Sequence, residues 1–294
     1  MANPQTSAEP RAAHWQRSGA ALVAASALSN QTGAAFGARA FDALGPLGVV
    51  IIRQLVSAVV LMVLARPRLR VLRGSGWVLA AALAVVFGVM NLSLYLAIDR
   101  LGLGLAVTLE YLGPLAVALC AAGSHRARQW ALVVAGGVVL LCAPGPSSDV
   151  PGLALGLLAA AAWAAFIVLN RSLGSRLDRL TGAAAASLLS ALAWLPIAIW
   201  WFSSHAPQPA ALGLALTCAL LSSVVPQAVD LIALRRISSA LFGVLTALNP
   251  VWAAGIGWLM LGQALDLAQL AGVGLIVAGG MLVSRTGRAS RSRP

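Results

Sequence analysis

The chain has 294 residues, of which 60% are hydrophobic and only 10% are charged, and its mean hydropathy is +0.89. A soluble protein of this size needs far more polar surface, so the composition excludes an ordinary soluble domain and indicates a membrane protein. The net charge of +12 comes entirely from arginines spread among short loops, which argues against a single nucleic-acid-binding patch.

Ten apolar runs follow one another along the chain, each near the roughly 20 residues that a helix needs to cross a bilayer. The polar segment 1–17 before them predicts a disordered cytoplasmic N-terminus, and segment 285–294 after them predicts a basic cytoplasmic tail. Because the connections are brief, we expect an all-α membrane protein of ten transmembrane helices without a soluble domain. The predicted helices lie near 18–38, 45–65, 76–98, 102–122, 129–143, 151–172, 181–203, 210–234, 238–260 and 267–284.

The arginines set the expected orientation of these helices. If the N-terminus is in the cytoplasm, seventeen of the 20 arginines fall in cytoplasmic segments, and only Arg39 and Arg100 fall on the opposite side. Cytoplasmic loops of membrane proteins carry such an excess of positive residues. The pattern predicts a multi-pass protein of the bacterial inner membrane with both termini in the cytoplasm.

The two halves of the chain, 18–143 and 151–284, repeat each other at an offset of 136 residues, at which Pro114 matches Pro250. Further matches at this offset are Asp42 with Asp178 and Arg100 with Arg236. Each half holds five helices, an odd number, so the second half must enter the membrane in the opposite orientation. Such inverted-topology repeats are typical of secondary transporters. The alternative is a chance similarity between two apolar halves.

Three charged residues lie well inside the predicted helices: Arg53, Glu110 and Asp230. A charged side chain there costs about 2.5 to 3.5 kcal/mol on insertion scales, so it normally faces a partner or a cavity. Arg53 can form a structural ion pair with either acid, or it can clamp a substrate carboxylate or take part in coupling. Glu110 is expected to contact a substrate ammonium or to carry the coupling proton, with Asp230 as the second candidate.

Prolines are expected to open the helices beside these charges. A proline lacks the N–H that would bond the carbonyl four residues earlier. Pro114 therefore frees the carbonyl of Glu110, and Pro250 frees that of Thr246, the repeat equivalent of Glu110. Pro226 loosens the eighth helix. The alternative to a ligand role is a plain kink that shapes the bundle.

Other polar and aromatic residues fall at a similar depth in the predicted helices. Asn91 and Tyr95 lie one helical turn apart, and Gln227 matches Asn91 in the repeat. Two pairs of glycines, Gly33 with Gly37 and Gly152 with Gly156, suit close helix packing. We expect a substrate site between the two halves at mid-depth. Its predicted lining is Gln31, Asn91, Tyr95, Glu110, Trp163, Gln227, Asp230 and Thr246.

Enzymatic, cofactor and metal sites are not expected. The histidines lie at loops or helix ends, so no serine–histidine pair falls at membrane depth, and no G-x-x-x-x-G-K-[ST] phosphate-binding loop occurs. Cys120, Cys142 and Cys218 fall in apolar runs at no metal-ligand spacing, and we predict them to be small buried apolar residues. The expected partners are a small-molecule substrate, protons and the lipid bilayer, without nucleic acid, for a monomer or homodimer. An intramembrane enzyme is the distant alternative.

Three stretches resemble the EamA branch of the drug/metabolite transporter superfamily. They are "GPLGVVIIRQLVSAVVLMVLARPRL" from residue 45, "NLSLYLAIDRLGLGLAVTLEYLGPLAVAL" from residue 91 and "SSVVPQAVDLIALRRISSALFGVLTALNP" from residue 222. The last two are similar to the threonine/homoserine exporter group, which implies ten helices in two inverted halves and the export of amino acids. The chain departs from that group at Asp230, Asn249 and Gln263, and another metabolite or a drug is the alternative substrate.

Overall fold

The computed structural model describes the backbone of residues 8–65, 74–122, 125–141, 149–174, 179–233, 236–237 and 239–289. Every regular element in these ranges is helical, as the composition predicts. The helices are α1 Ala8–Ala38, α2 Phe41–Ala65, α3 Ser75–Leu101, α4 Leu103–Ala122, α5 His125–Leu141, α6 Val150–Gly174, α7 Arg179–Ser204, α8 Pro209–Ala219, α9 Val225–Ala233, α10 Ser239–Thr246, α11 Asn249–Leu261 and α12 Leu267–Ala289. A π-helical turn, Leu220–Val224, joins α8 to α9.

Six helical segments of this part of the chain are long and apolar enough to cross a membrane. They are Phe41–Val63, Ser75–Leu101, Leu103–Cys120, Val150–Ser172, Ala184–Ser204 and Pro209–Asp230. Counting α8 with α9 and α10 with α11 as one segment each, every predicted span has a helical counterpart in the described ranges. Helices satisfy all their own backbone hydrogen bonds, which is why an apolar chain takes this form in lipid.

Both ends of the chain are more helical than the sequence predicts. Helix α1 begins at Ala8, so the segment 8–17 is helical where disorder is expected, and residues 1–7 lie outside the described ranges. Helix α12 continues to Ala289, into the predicted tail. Alanine and arginine are good helix formers, and a helix already formed in the membrane extends into such residues at little cost.

Small residues bring the helices into close contact. A Cβ added at Gly113 in α4 would overlap the carbonyl oxygen of Ala160 in α6, and one at Gly156 would lie 2.6 Å from a methyl carbon of Leu109. In α1, a Cβ at Gly33 would lie 2.7 Å from the backbone nitrogen of Ser222. Lipid provides no hydrophobic force between helices, so this close van der Waals packing holds the bundle together.

Candidate functional site

A polar cluster lies inside the bundle where α2, α3 and α8 meet. The guanidinium carbon of Arg53 is 5.2 Å from the centre of the Tyr95 ring, a cation–π distance. The Tyr95 hydroxyl lies 3.0 Å from the Cys218 sulfur, within hydrogen-bonding distance. Tyr95 is fully buried and also packs edge-on against Phe41. We call Arg53, Tyr95, Cys218, Ser222 and Ser223 the arginine cluster.

The π-helical turn supplies the backbone acceptors of this cluster. The Val225 amide bonds the Leu220 carbonyl, five residues back, and therefore does not reach Leu221. Ser29 donates to the Leu221 carbonyl at 2.8 Å. Pro226 has no N–H for the carbonyl of Ser222, four residues earlier. That carbonyl accepts instead from Nη2 of Arg53 at 3.2 Å.

Arg53 makes a second contact with the same turn. Its Nε donates to the Ser223 hydroxyl at 3.0 Å. Gly37 of α1 lies against the cluster, where an added Cβ would be 2.8 Å from the Cys218 sulfur and 3.0 Å from the Tyr95 ring. A glycine is required at this position because any side chain would displace Cys218 or Tyr95.

Glu110 lies on α4, with 6% of its surface exposed. Its carboxylate and the Arg53 guanidinium attract each other electrostatically. No nitrogen–oxygen pair between them comes within the 4.0 Å of a direct ion pair. The direct Arg53–Glu110 pair, one of the alternatives that the sequence left open, is therefore not formed.

Asp230 is placed differently from Glu110. It is half-buried on α9, and its carboxylate accepts a hydrogen bond from Ser26 of α1. No ion pair joins it to Arg53 within the described residues. The structure therefore brings Arg53 and Glu110 near each other, whereas Asp230 binds helix α1.

The other predicted lining residues divide between separate surroundings. Gln31 is buried on α1. Asn91 is buried and donates to the Phe87 carbonyl of its own helix at 2.8 Å. Thr246 is half-buried and donates to the Phe242 carbonyl at 3.1 Å. The side chain of Gln227 lies outside the described residues.

Trp163, which was predicted to line the substrate site, packs against an aromatic residue. Its ring meets that of Tyr111 edge-on, with 6.4 Å between the ring centres. Both rings belong to an apolar cluster with Leu109 and Val277, whereas Tyr95 belongs to a different one with Val49 and Ile98. The structure does not bring Trp163 to the arginine cluster.

The two matching prolines differ in their effect on the helix. Helix α4 runs without a break through Pro114. At Pro250 the ninth span is divided, since α10 ends at Thr246 and α11 begins at Asn249. Pro250 falls in the first turn of α11, where a proline costs no helical hydrogen bond.

Comparisons with known proteins agree with the resemblance drawn from the sequence. The EamA-like transporter family matches residues 150–285. Over 264 residues the chain is 33% identical to the threonine/homoserine exporter RhtA of Escherichia coli strain K12, and the match covers 86% of each chain. The chain belongs to the EamA-like transporter family. The RhtA exporter of Salmonella typhimurium strain LT2 is 32% identical over 271 residues, which cover 88% of each chain.

A solved crystal structure has a similar fold. It matches with a TM-score of 0.62 over 92% of this EamA-like transporter and 99% of the other chain, at 19% identity. At this identity the likeness shows the fold alone. Among the residues that the structure describes, no group of three histidine, cysteine or acidic side chains could hold a metal ion.

Sequence reasoning missed Cys218, Ser222 and Ser223 in the eighth span of this EamA-like transporter. Cys218 is buried, as predicted for an apolar residue, but it contacts the Tyr95 hydroxyl and lies 3.6 Å from the Ser222 hydroxyl. The predicted burial of Cys120 is wrong, because its side chain is exposed on the outside of α4, and Cys142 lies outside the described residues. The sequence signal that could have identified these residues was the pair Ser222 and Ser223, two polar side chains in an apolar run shortly before Pro226.

Proposed function

We propose that this chain is a secondary transporter of the bacterial inner membrane that exports small amino acids, such as threonine and homoserine, by alternating access. The observation that carries the proposal is the 33% identity, over 86% of both chains, to a threonine/homoserine exporter. A charged and hydrogen-bonded cluster inside an otherwise apolar bundle supports it, because ionisable groups at that depth mark transport pathways.

An inverted repeat is the basis of the proposed mechanism, and one hydrogen bond supports it directly. Gln54 in α2 donates to the hydroxyl of Ser190 in α7 at 3.2 Å. These two residues are 136 positions apart, the offset of the repeat. Equivalent residues of two halves related by a two-fold axis can touch each other only at that axis. The axis of our proposal therefore passes between α2 and α7, at this pair.

Contacts at two opposite ends of the bundle support the same relation. Arg100 and Leu101, at the end of α3, pack against Gly152 in the first turn of α6. Their repeat equivalents, Arg236 and Ile237, pack in the same manner against Gly19 of α1. Each arginine also bonds a side chain close to the glycine that it meets: Arg100 bonds Asp149, just before α6, and Arg236 donates to Ser18, within α1.

The pairing of whole helices supports a two-fold relation between the halves. Helix α3 packs on α6, and the equivalent eighth span packs on α1. Helices α2 with α7, α4 with α11 and α5 with α12 are equivalents that pack on each other. Two such halves can rock about the axis and expose one site to each side of the membrane in turn.

Glu110 is the residue that we propose to contact the substrate ammonium or to carry the coupling proton. It is a buried acid on the first half of the repeat, and its equivalent on the second half is the neutral Thr246. Protons are the proposed coupling ion. Both termini are proposed to lie in the cytoplasm, as the arginine distribution predicts.

Export is tested with purified protein reconstituted in liposomes and with cells that overproduce it. Threonine or homoserine loaded into the vesicles should leave vesicles that contain the wild-type protein faster than it leaves protein-free vesicles. An imposed proton gradient should change the rate. The remaining amino acids, assayed side by side, establish the range of substrates. If no amino acid moves through protein that is folded and correctly inserted, the proposed function is wrong.

A further inference from the structure

Arg53 is a half-buried cation whose hydrogen-bond partners among the described residues are all neutral. It donates to the Ser222 carbonyl and the Ser223 hydroxyl, and it lies over the Tyr95 ring. No carboxylate forms an ion pair with it among the described residues. An unpaired charge in a membrane interior is costly, so its presence calls for an anionic partner.

The guanidinium of Arg53 has donors to spare for such a partner. It carries five N–H groups in a planar fork, and its two neutral acceptors cannot engage all of them. A planar fork of this kind matches the two oxygens of a carboxylate better than any other side chain does. The cluster therefore holds the arginine in place without neutralising it.

Glu110 offers the opposite charge close by. It attracts Arg53 electrostatically but does not reach it, as described above. An α-amino acid carries a carboxylate and an ammonium on the same carbon atom. Such a molecule can bridge a guanidinium and a carboxylate that do not touch each other.

We propose that Arg53 binds the α-carboxylate of the transported amino acid, opposite Glu110, which receives the ammonium. The inference rests on the proposed function and adds the chemistry of recognition: the substrate is held as a zwitterion, through both of its charges. Ligands that lack the carboxylate are bound poorly.

The residues of the arginine cluster are not repeated in the other half. The positions equivalent to Arg53 and Tyr95 in the second half are Leu189 and Leu231, and the position equivalent to Cys218 in the first half is Ala82. Arg53 and Tyr95 of the first half therefore have apolar equivalents in the second half, and the two halves do not carry the same polar site.

Tyr95 is a positioning residue in this proposal. Its ring lies under the guanidinium, and its hydroxyl is fixed by the Cys218 sulfur. The Ser222 hydroxyl in turn donates to the Cys218 carbonyl at 2.7 Å. This chain of contacts holds the plane of the guanidinium and so sets the direction from which a carboxylate can approach.

The test is counterflow of radiolabelled threonine into proteoliposomes of the wild-type protein, with unlabelled competitors. Threonine amide keeps the ammonium and the side chain but has no carboxylate. We expect it to compete about 10- to 100-fold more weakly than threonine, the range for a lost hydrogen bond to a charged group. An amide that competes as well as threonine would overturn the carboxylate site.

Two arginine variants and a control sharpen the test. Arg53→Gln should abolish the preference for threonine over its amide, and Arg53→Lys should keep part of it, because it retains the charge but not the fork. The control is Arg39→Gln, since Arg39 is an exposed arginine that donates to the Met260 carbonyl at 2.8 Å. The Arg39→Gln protein should keep the wild-type preference for threonine over its amide. An equal loss of this preference in Arg53→Gln and Arg39→Gln would contradict the proposal.

The outcome separates this inference from the proposed function. If the folded and inserted wild-type protein shows counterflow of no amino acid, the proposed function is wrong. If the wild type shows counterflow but threonine and threonine amide compete equally, the protein is a transporter and the carboxylate site at Arg53 is wrong. If Arg53→Gln does not fold, the competition in the wild-type protein still decides the question.

Discussion

Substitution of Gly113 tests the packing of α4 against α6, beside Glu110. A Cβ at this position would overlap the carbonyl oxygen of Ala160, 3.0 Å from its carbonyl carbon and 3.1 Å from the Ala164 nitrogen. These are backbone atoms, which cannot turn aside as the end of a flexible side chain can. Gly113→Ala must therefore push the two helices apart over their whole crossing.

The expected magnitude follows from two opposing effects. Overpacking a close-packed interior costs about 1–3 kcal/mol, and the backbone overlap places this site near the upper end. Replacing a glycine by alanine within a helix stabilises the helix by up to about 1 kcal/mol, which offsets part of this cost. We expect Gly113→Ala to lower the free energy of unfolding by about 2 kcal/mol and the melting temperature by several degrees.

The assay is thermal unfolding of the purified protein in detergent, read as loss of monodisperse protein on size-exclusion chromatography. Gly136→Ala is the matched control, because Gly136 lies within α5 and an added Cβ there meets nothing within 4 Å. That variant should be as stable as the wild type or slightly more so. Equal melting temperatures of the two variants would refute the close α4–α6 contact.

Three further predictions concern Glu110, the hydrogen bond between Gln54 and Ser190, and Asp149 at the start of α6. Glu110→Gln keeps the shape and removes the charge, so it should insert and fold normally yet lose most efflux; transport at the wild-type rate with the same pH dependence would make Glu110 a structural residue. Alanine variants of Gln54 and Ser190 should show a coupling of about 1 kcal/mol in a double-mutant cycle of unfolding, whereas additive effects would contradict the hydrogen bond between them. The hydrogen bond from the Gly152 amide, with that from Arg100, holds the pKa of Asp149 below its ordinary value. Its contribution to stability is therefore present above pH 3.8 and lost as the pH falls through the lowered pKa, so the melting-temperature gap between wild type and Asp149→Asn should close in acid.

The sequence by itself determined the class of the protein. Each transmembrane segment must satisfy its own backbone hydrogen bonds and match the thickness of the bilayer, and both requirements are local along the chain. A run of apolar residues therefore reports a helix without reference to any other part of the molecule. The family resemblance likewise followed from three continuous stretches, and the comparisons with known exporters confirmed it.

The residues of the candidate site could be predicted only in part. Arg53, Tyr95 and Glu110 were identified because a polar group in an apolar helix is conspicuous in the sequence. The loss of a helical partner for the Ser222 carbonyl also followed from Pro226 alone, by the rule that was applied to Pro114 and Pro250. What the sequence did not contain was the identity of the donor, Arg53, which lies 169 positions away.

The tertiary structure decided which charges meet. Arg53 contacts Tyr95 and the π-helical turn, and Asp230 contacts Ser26. Arg53 forms a direct ion pair with neither Glu110 nor Asp230, although the charges would allow it. Such contacts depend on the rotation of each helix about its own axis and on how closely neighbouring backbones approach. Both are set by small residues such as Gly37 on a different helix, and a pattern read along one helix holds no information about them.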